Sequence, residues 1–356
     1  MKKRGIKLNR VKRNNENMKI LNHSETMSIN QLDDEIYKSI ITNTKIDFTQ
    51  TVIKDHPRKH VIERKKILKS FIKQLKELNK LPFFKQRTQE WFEARKNILT
   101  ASNLEEAISK SSLRLAKTKA GVIVDNTVYS TIAPLKWGTM FEDMASRCYS
   151  QKRNDIRIFD FGLVIDNQQE HFGASPDGIT EHGVMIEIKC PYSRKIIDGQ
   201  IPHKYYLQIQ GQLATCSLKE CDYIECDFEQ FNCTEKYLTE VPINSILDHG
   251  VIAEFKNVKT GEYSYVYSDP YLKSCETIQN VEKKKQEMEP DEDIVFIKMT
   301  PWKLKQMNVQ KVLFDEVQWV NIVPKIQDFW KKVEDCKSLP VEEVKPKPKA
   351  KFITDD

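Results

Sequence analysis

The chain has 356 residues, 39% apolar and 30% charged, enough for one large domain or two small ones and too apolar for disorder throughout. Lys and Arg number 57 against 51 Asp and Glu, a net charge of +6. No apolar run approaches the roughly 18 residues that cross a bilayer, and residues 1–30 lack the apolar stretch of a signal peptide. An intracellular protein without a membrane partner is expected.

The charge is unevenly placed. Residues 1–13 hold seven basic residues and no acid, and residues 54–80 hold ten against three, so these stretches sum to +14 and the rest of the chain to −8. Clustered Lys and Arg suit a polyanion such as a nucleic acid, although a solvated tail and helix face would give the same count. Eight cysteines are too dilute for a disulfide framework, and Cys216, Cys221 and Cys226 lack the paired spacing of structural zinc ligands.

In chain order, residues 1–50 read as a polar, basic and flexible segment, and 51–80 as a region built on a basic amphipathic helix from Val61 to Leu78. A helix is predicted at Glu90–Arg95. Ser102 followed by Glu105 reads as a capping box opening another helix. Residues 111–135 read as loop and 136–153 as helix. Strands are predicted at Ile156–Asp166, Val184–Cys190 and Asp222–Phe228, with a helix at His203–Ser217 between the last two. Beyond them, strands at Tyr263–Tyr267 and Ile294–Lys298 and helices at 271–288 and 311–335 complete the pattern. Interleaved strands and helices predict an α/β fold with a mixed sheet as the core over 81–300, a helical region at 301–340 and a Lys/Pro-rich tail at 341–356.

The segment Phe172–Arg194 carries the chemistry. Asp177 sits in a Pro-Asp-Gly turn, while Glu187 and Lys189 leave one face of a strand whose other face carries Ile186 and Ile188. Two carboxylates offer hard oxygen ligands to Mg²⁺, with Mn²⁺ as a substitute, and the Ile188 carbonyl is a further candidate ligand. Such an ion neutralises charge on a phosphate and acidifies a water, which an adjacent lysine can orient; this is the set used for phosphodiester hydrolysis. Taken alone, PD-x9-ExK fits equally well a turn aspartate followed by a Glu–Lys pair on a half-exposed strand.

Flanking residues separate the two readings. Trp91, Arg95 and the Thr-Ala-Ser ending at Ser102, then Trp137, Gly138 and Glu142, then the SPDG and EIKCPYSR segments, then YYLQIQ with Gln208, form four ordered blocks. Together they resemble the phage lambda-type exonucleases and viral recombinase nucleases, also called alkaline exonucleases, of the PD-(D/E)XK superfamily. That resemblance implies a restriction-endonuclease-like core. It implies catalytic roles for Asp177, Glu187, Lys189, Glu142 and Gln208, with two metal ions held by Asp177, Glu187, Ile188 and Glu142. It also implies a 5′-phosphate pocket built from Arg95, Ser102, Ser175 and Arg194. The activity implied is Mg²⁺-dependent 5′-to-3′ digestion of linear double-stranded DNA, leaving 3′ single strands for recombination, repair or replication.

A single-strand annealing recombinase and further copies of the chain are the partners such an enzyme would take. The basic N-terminal region and Lys/Pro tail depart from the compact phage type and resemble the longer enzymes of large DNA viruses. The rival readings are an endonuclease of the same superfamily and, from another class, a non-catalytic DNA-binding protein.

Overall fold

A computed structural model describes residues 81–343 apart from 82, 85, 125–131, 154, 170 and 289–290, together with Gln74, Glu77 and Leu78. The expected flexible segment at 1–50 and the Lys/Pro tail lie outside the described residues, as does most of the 61–78 helix. Gln74, Glu77 and Leu78 are helical, Leu78 is buried in the core, and Gln74 Nε2 donates to the Cys216 carbonyl at 3.0 Å.

The first described helix, α1 (Gln89–Lys96), is capped by the Thr88 hydroxyl, which accepts from Trp91 N. Strand β1 (Leu99–Thr100) leads through a 3-10 turn at Ala101–Asn103 into α2 (Leu104–Ile108) and α3 (Leu113–Lys119). The capping box expected at Ser102 does not form. Asn103 occupies the cap position, and Glu105 instead meets His203 Nδ1 at 3.0 Å. Residues 113–119, expected as loop, are helical because Leu115 and Ala116 bury against the next layers.

Strand β2 (Ile123–Val124) precedes α4 (Ala133–Gln151), which starts three residues before its predicted boundary with Pro134 in its first turn. The segment expected as one strand at 156–166 splits into β3 (Ile158–Phe159) and β4 (Val164–Ile165) around Gly162. Then come β5 (Phe172–Ala174), β6 (Gly178–Thr180), β7 (Met185–Lys189), α5 (His203–Cys216) and β8 (Glu220–Gln230). Helix α6 (Thr234–Glu240) and strand β9 (His249–Asn257) are additions to the expected pattern; β10 (Tyr263–Tyr267) and α7 (Ser274–Glu287) match it.

Strand β11 (Ile294–Leu313) is 20 residues long, so residues 301–313, expected in a helical region, are strand. Helix α8 (Glu316–Cys336) and β12 (Glu342–Glu343) complete the described chain. Among the described residues, no helix is long and apolar enough to cross a membrane.

The main sheet has the order β10-β9-β11-β8-β7-β6-β3, antiparallel except for the parallel β7–β8 pair. It is a mixed sheet flanked by helices, the α/β class expected. Its two faces are apolar for different partners. Ile186, Ile188, Ile224 and Phe228 pack with Met140, Phe141 and Met144 of α4. Met185 and Tyr223 leave the other face and pack with Ile209, Leu213 and Cys216 of α5. A smaller sheet, β1-β5-β4, lies on the α5 side and packs with α2, α3 and α8.

Helix α5 approaches β5 closely at Gly211. A Cβ there would stand 2.9 Å from the Phe172 ring and 3.1 Å from Ala101 Cβ, and Phe172 has no exposed surface into which to move. Gly211→Val is expected to lower the free energy of unfolding by about 1–3 kcal/mol, measured in urea, by overpacking this contact.

Candidate active site

Strand β7 lies between β6 and β8, and its period of two assigns its residues to opposite faces. Glu187 therefore points toward α5 and has no exposed surface. A buried carboxylate needs donors, and α5 supplies two from side chains one turn apart. Gln208 Nε2 donates to Glu187 Oε1 at 2.6 Å and Gln212 Nε2 to Oε2 at 2.7 Å, while the Lys189 ammonium also pairs with Oε1. Gly178 pairs with Ile186, so extending the ladder by one residue sets Asp177 opposite Glu187. Asp177 Oδ2 accepts the Ile188 N–H at 2.7 Å. Glu142 comes from α4 on the opposite face, where Arg87 Nη2 donates to its Oε2 at 2.8 Å.

These groups feel one another. Burial, then repulsion from Glu187 and Glu142, pushes the Asp177 carboxyl well above the usual carboxylate range. Burial raises Glu142 as well, against the pull of Arg87. Burial alone would lower Lys189, but Glu187 and Asp177 override it and hold the ammonium above the ordinary lysine value. The cluster thus sets three carboxylates against two cations.

A divalent cation suits that imbalance and that donor chemistry, since carboxylate and carbonyl oxygens are hard ligands. Among the described residues no three acidic, His or Cys side chains already converge as a finished site. The reason is visible in the contacts: Glu187 is taken by two amides and an ammonium, and Glu142 by Arg87. Asp177, Glu187, Glu142 and the Ile188 carbonyl are the groups that would hold an ion.

A second group begins at Ser175, two residues before Asp177. Its Oγ accepts Trp91 Nε1–H at 3.1 Å, and the Arg95 guanidinium lies 4.0 Å from the Trp91 ring centroid. Arg95 Nη2 donates to Thr100 Oγ1 at 3.3 Å, and the Thr100 and Ser102 hydroxyls are 3.1 Å apart. The three residues Arg95, Ser102 and Ser175 are thereby linked through Trp91 and Thr100. Arg95 makes no ion pair with a carboxylate among the described residues, and burial pulls it down to about 10.

Lys119 adds another cation that the sequence pattern does not single out. Its Nζ donates to the Arg95 and Ile98 carbonyls at 2.7 Å each, at the C-terminal end of α1, and burial with the Arg95 charge holds it at about 8. Arg194 behaves differently. Its guanidinium pairs with the fully buried Glu225 on β8, which also accepts the Tyr223 hydroxyl at 2.9 Å, and it makes no hydrogen bond or ion pair with the Arg95 group. A buried carboxylate without a cation is costly, and Arg194 meets that demand.

Gln212 and Arg87 are also absent from the sequence-based site. The first is legible as the residue one turn after Gln208; the second sits in an irregular segment where no periodicity marks it. Because the folded Asp177 pKa is raised, the native chain binds a proton more tightly than the unfolded chain, and this group's contribution to stability falls as pH rises through the folded value. Asp177→Asn, without divalent cations, is therefore expected to be more stable than wild type at pH 7–8. The gain should shrink toward pH 5 in urea titrations.

Comparison with known proteins finds the following similarities. Residues 90–219, which include both groups except Arg87, match the family model of the YqaJ-like viral recombinase domain. An uncharacterized protein of Acanthamoeba polyphaga mimivirus is 24% identical over 355 residues, covering 87% of this chain and 61% of that relative. The chain thus spans under two thirds of that relative's length. The alkaline exonuclease LHK-Exo of Laribacter hongkongensis, also solved in complex with dAMP, is 18% identical, covering 70% of this chain and 93% of that one with a TM-score of 0.42. A phage related exonuclease of Haemophilus somnus 129PT is 12% identical, covering 67% and 93% with a TM-score of 0.33. At those scores the superpositions are loose, and the architecture rests on the strand order and core given above. The resemblance read from the four sequence blocks agrees with that match: residues 90–219 are similar to the YqaJ-like viral recombinase domain.

Proposed function

We propose that the chain is a Mg²⁺-dependent exodeoxyribonuclease that digests linear double-stranded DNA from 5′-phosphorylated ends and leaves 3′ single strands. The observation that carries this reading is the adjacency of two oppositely charged groups. Asp177, Glu187 and Lys189 lie together with Glu142 in their field, and two residues away Ser175 opens a group whose cations pair with no carboxylate among the described residues. A half-buried arginine with no counter-ion among the described residues, backed by hydroxyl donors, is a receptor for an anion, and a terminal phosphate is the anion that DNA ends supply.

A divalent cation bound by the carboxylates would neutralise charge on the scissile phosphate and acidify the attacking water. The protein's own groups do the rest. Lys189, held protonated by Glu187 and Asp177, is a donor and not a base; it orients the water and offsets negative charge in the transition state. Gln208 and Gln212 fix the rotamer of Glu187, so the carboxylate is placed before substrate arrives. Arg95, with Ser102 and Ser175, grips the terminal phosphate and so sets which bond is cut. Lys119 holds the helix end that carries Arg95.

Three duplexes incubated with Mg²⁺ test this reading: linear with 5′-phosphate, linear with 5′-hydroxyl, and a covalently closed circle. The first should be degraded fastest and the circle left intact; nicking of the circle would replace the proposal with an endonuclease. Lys189→Ala should lower turnover by about 10²–10³-fold, as expected for loss of a transition-state donor. Arg95→Ala should instead erase the preference for phosphorylated ends, and a preference that survives it would remove the pocket.

A further inference from the structure

Arg87 has no place in the four sequence blocks, yet it is the cation nearest Glu142. It lies in a strap, whose described residues are 83, 84 and 86–88, that reaches the turn bearing Asp177. Gln86 Nε2 donates to the Pro176 carbonyl at 3.2 Å, one residue before Asp177, and the Phe84 carbonyl accepts Leu163 N–H at 3.1 Å. Gly162, at φ +61°, lets the strap come this close: a Cβ there would stand 2.1 Å from the Phe84 oxygen. Thr88 then opens α1. Held between these anchors, Arg87 adopts φ +65°, a left-handed backbone that a side chain disfavours.

The strain has an electrostatic counterpart. The Arg87 guanidinium reaches Glu142 at 2.8 Å and lies in the field of Asp143 and Asp177 as well. Yet the pair is not locked into the core: the Arg87 side chain is 45% exposed and that of Glu142 27%. An ion pair this open is worth little, whereas a divalent cation brings twice the charge and accepts several oxygens at once. The two cations cannot share the same Glu142 oxygen.

We propose that Arg87 is the resident counter-ion of the cation site: its guanidinium neutralises Glu142 when no metal is bound and has to leave that oxygen for Glu142 to become a ligand. The inference rests on the metal-dependent reading above and adds that metal affinity is set by an internal competitor. It makes Arg87 a positioning residue, acting on the cation through Glu142. The competitor also explains why Glu142 is turned toward Arg87 instead of converging with Asp177 and Glu187.

Binding of Mn²⁺ to the full chain, followed through the electron paramagnetic resonance signal of free Mn²⁺, tests this without turnover. Arg87→Gly removes the cation and also relieves the left-handed backbone, so the variant is expected to fold at least as stably as wild type. It should bind Mn²⁺ roughly three- to tenfold more tightly, with Arg87→Lys between the two. Unchanged or weaker binding in Arg87→Gly, with binding still abolished by Asp177→Asn, overturns the proposal and leaves the cation site standing. No Asp177-dependent binding in either chain overturns both.

Discussion

One buried carboxylate organises the molecule. Glu187 has no exposed surface, and its charge is tolerated because Gln208, Gln212 and Lys189 converge on it. Both amides come from α5, so that helix has to lie on β7 in one rotation and at one height. Gly211, between the two glutamines, lets the same helix close on Phe172 and Ala101. On the other face Ile186 and Ile188 bring α4, and with it Glu142. Core packing and site assembly are therefore one requirement, since the helices that cover the strand also carry the groups that complete its chemistry.

The site is also a local surplus of negative charge inside a chain whose total is positive. Burial and mutual repulsion hold Asp177 and Glu142 above the ordinary carboxylate range, which is a cost to the fold that a bound cation would remove. A few residues away the sign reverses, with Arg95 and Lys119 half-buried and drawn down by desolvation. In the proposed reading, a phosphodiester near a terminal phosphate would answer both imbalances at once, its anionic groups facing the added cation and the protein's own.

Much of this is legible in the sequence, for physical reasons that can be named. The period of two in Ile186–Glu187–Ile188–Lys189 is enough to assign the faces of β7, and the apolar spacing of 203–217 gives α5 to within one residue. Strand β11 is not legible beyond its first residues. Its core-facing side chains run Trp302, Leu304, Met307, Val309, because an extra residue at the register shift between Leu304 and Gln306 breaks the alternation, and a broken period of two imitates a helix. Strand β9 escapes detection because a charged residue, Glu254, interrupts its apolar run; it is buried against Lys136 at 2.6 Å. Arg87 and Lys119 leave no trace because their roles arise from strap geometry and from backbone carbonyls, neither of which has a spacing.

The length of β11 divides labour within the sheet. Its first half pairs with β9 and its second half with β8, so one strand joins an outer lobe of β9, β10, α6 and α7 to the strands that hold the carboxylates. That lobe has its own buried cluster around Tyr237, Val251, Phe255 and Val281. Residues 258–262, at its far rim, join β9 to β10 three strands away from β7. A change of length there would leave the pairing of β6, β7 and β8 untouched, so the carboxylate-bearing strands are insulated from that rim.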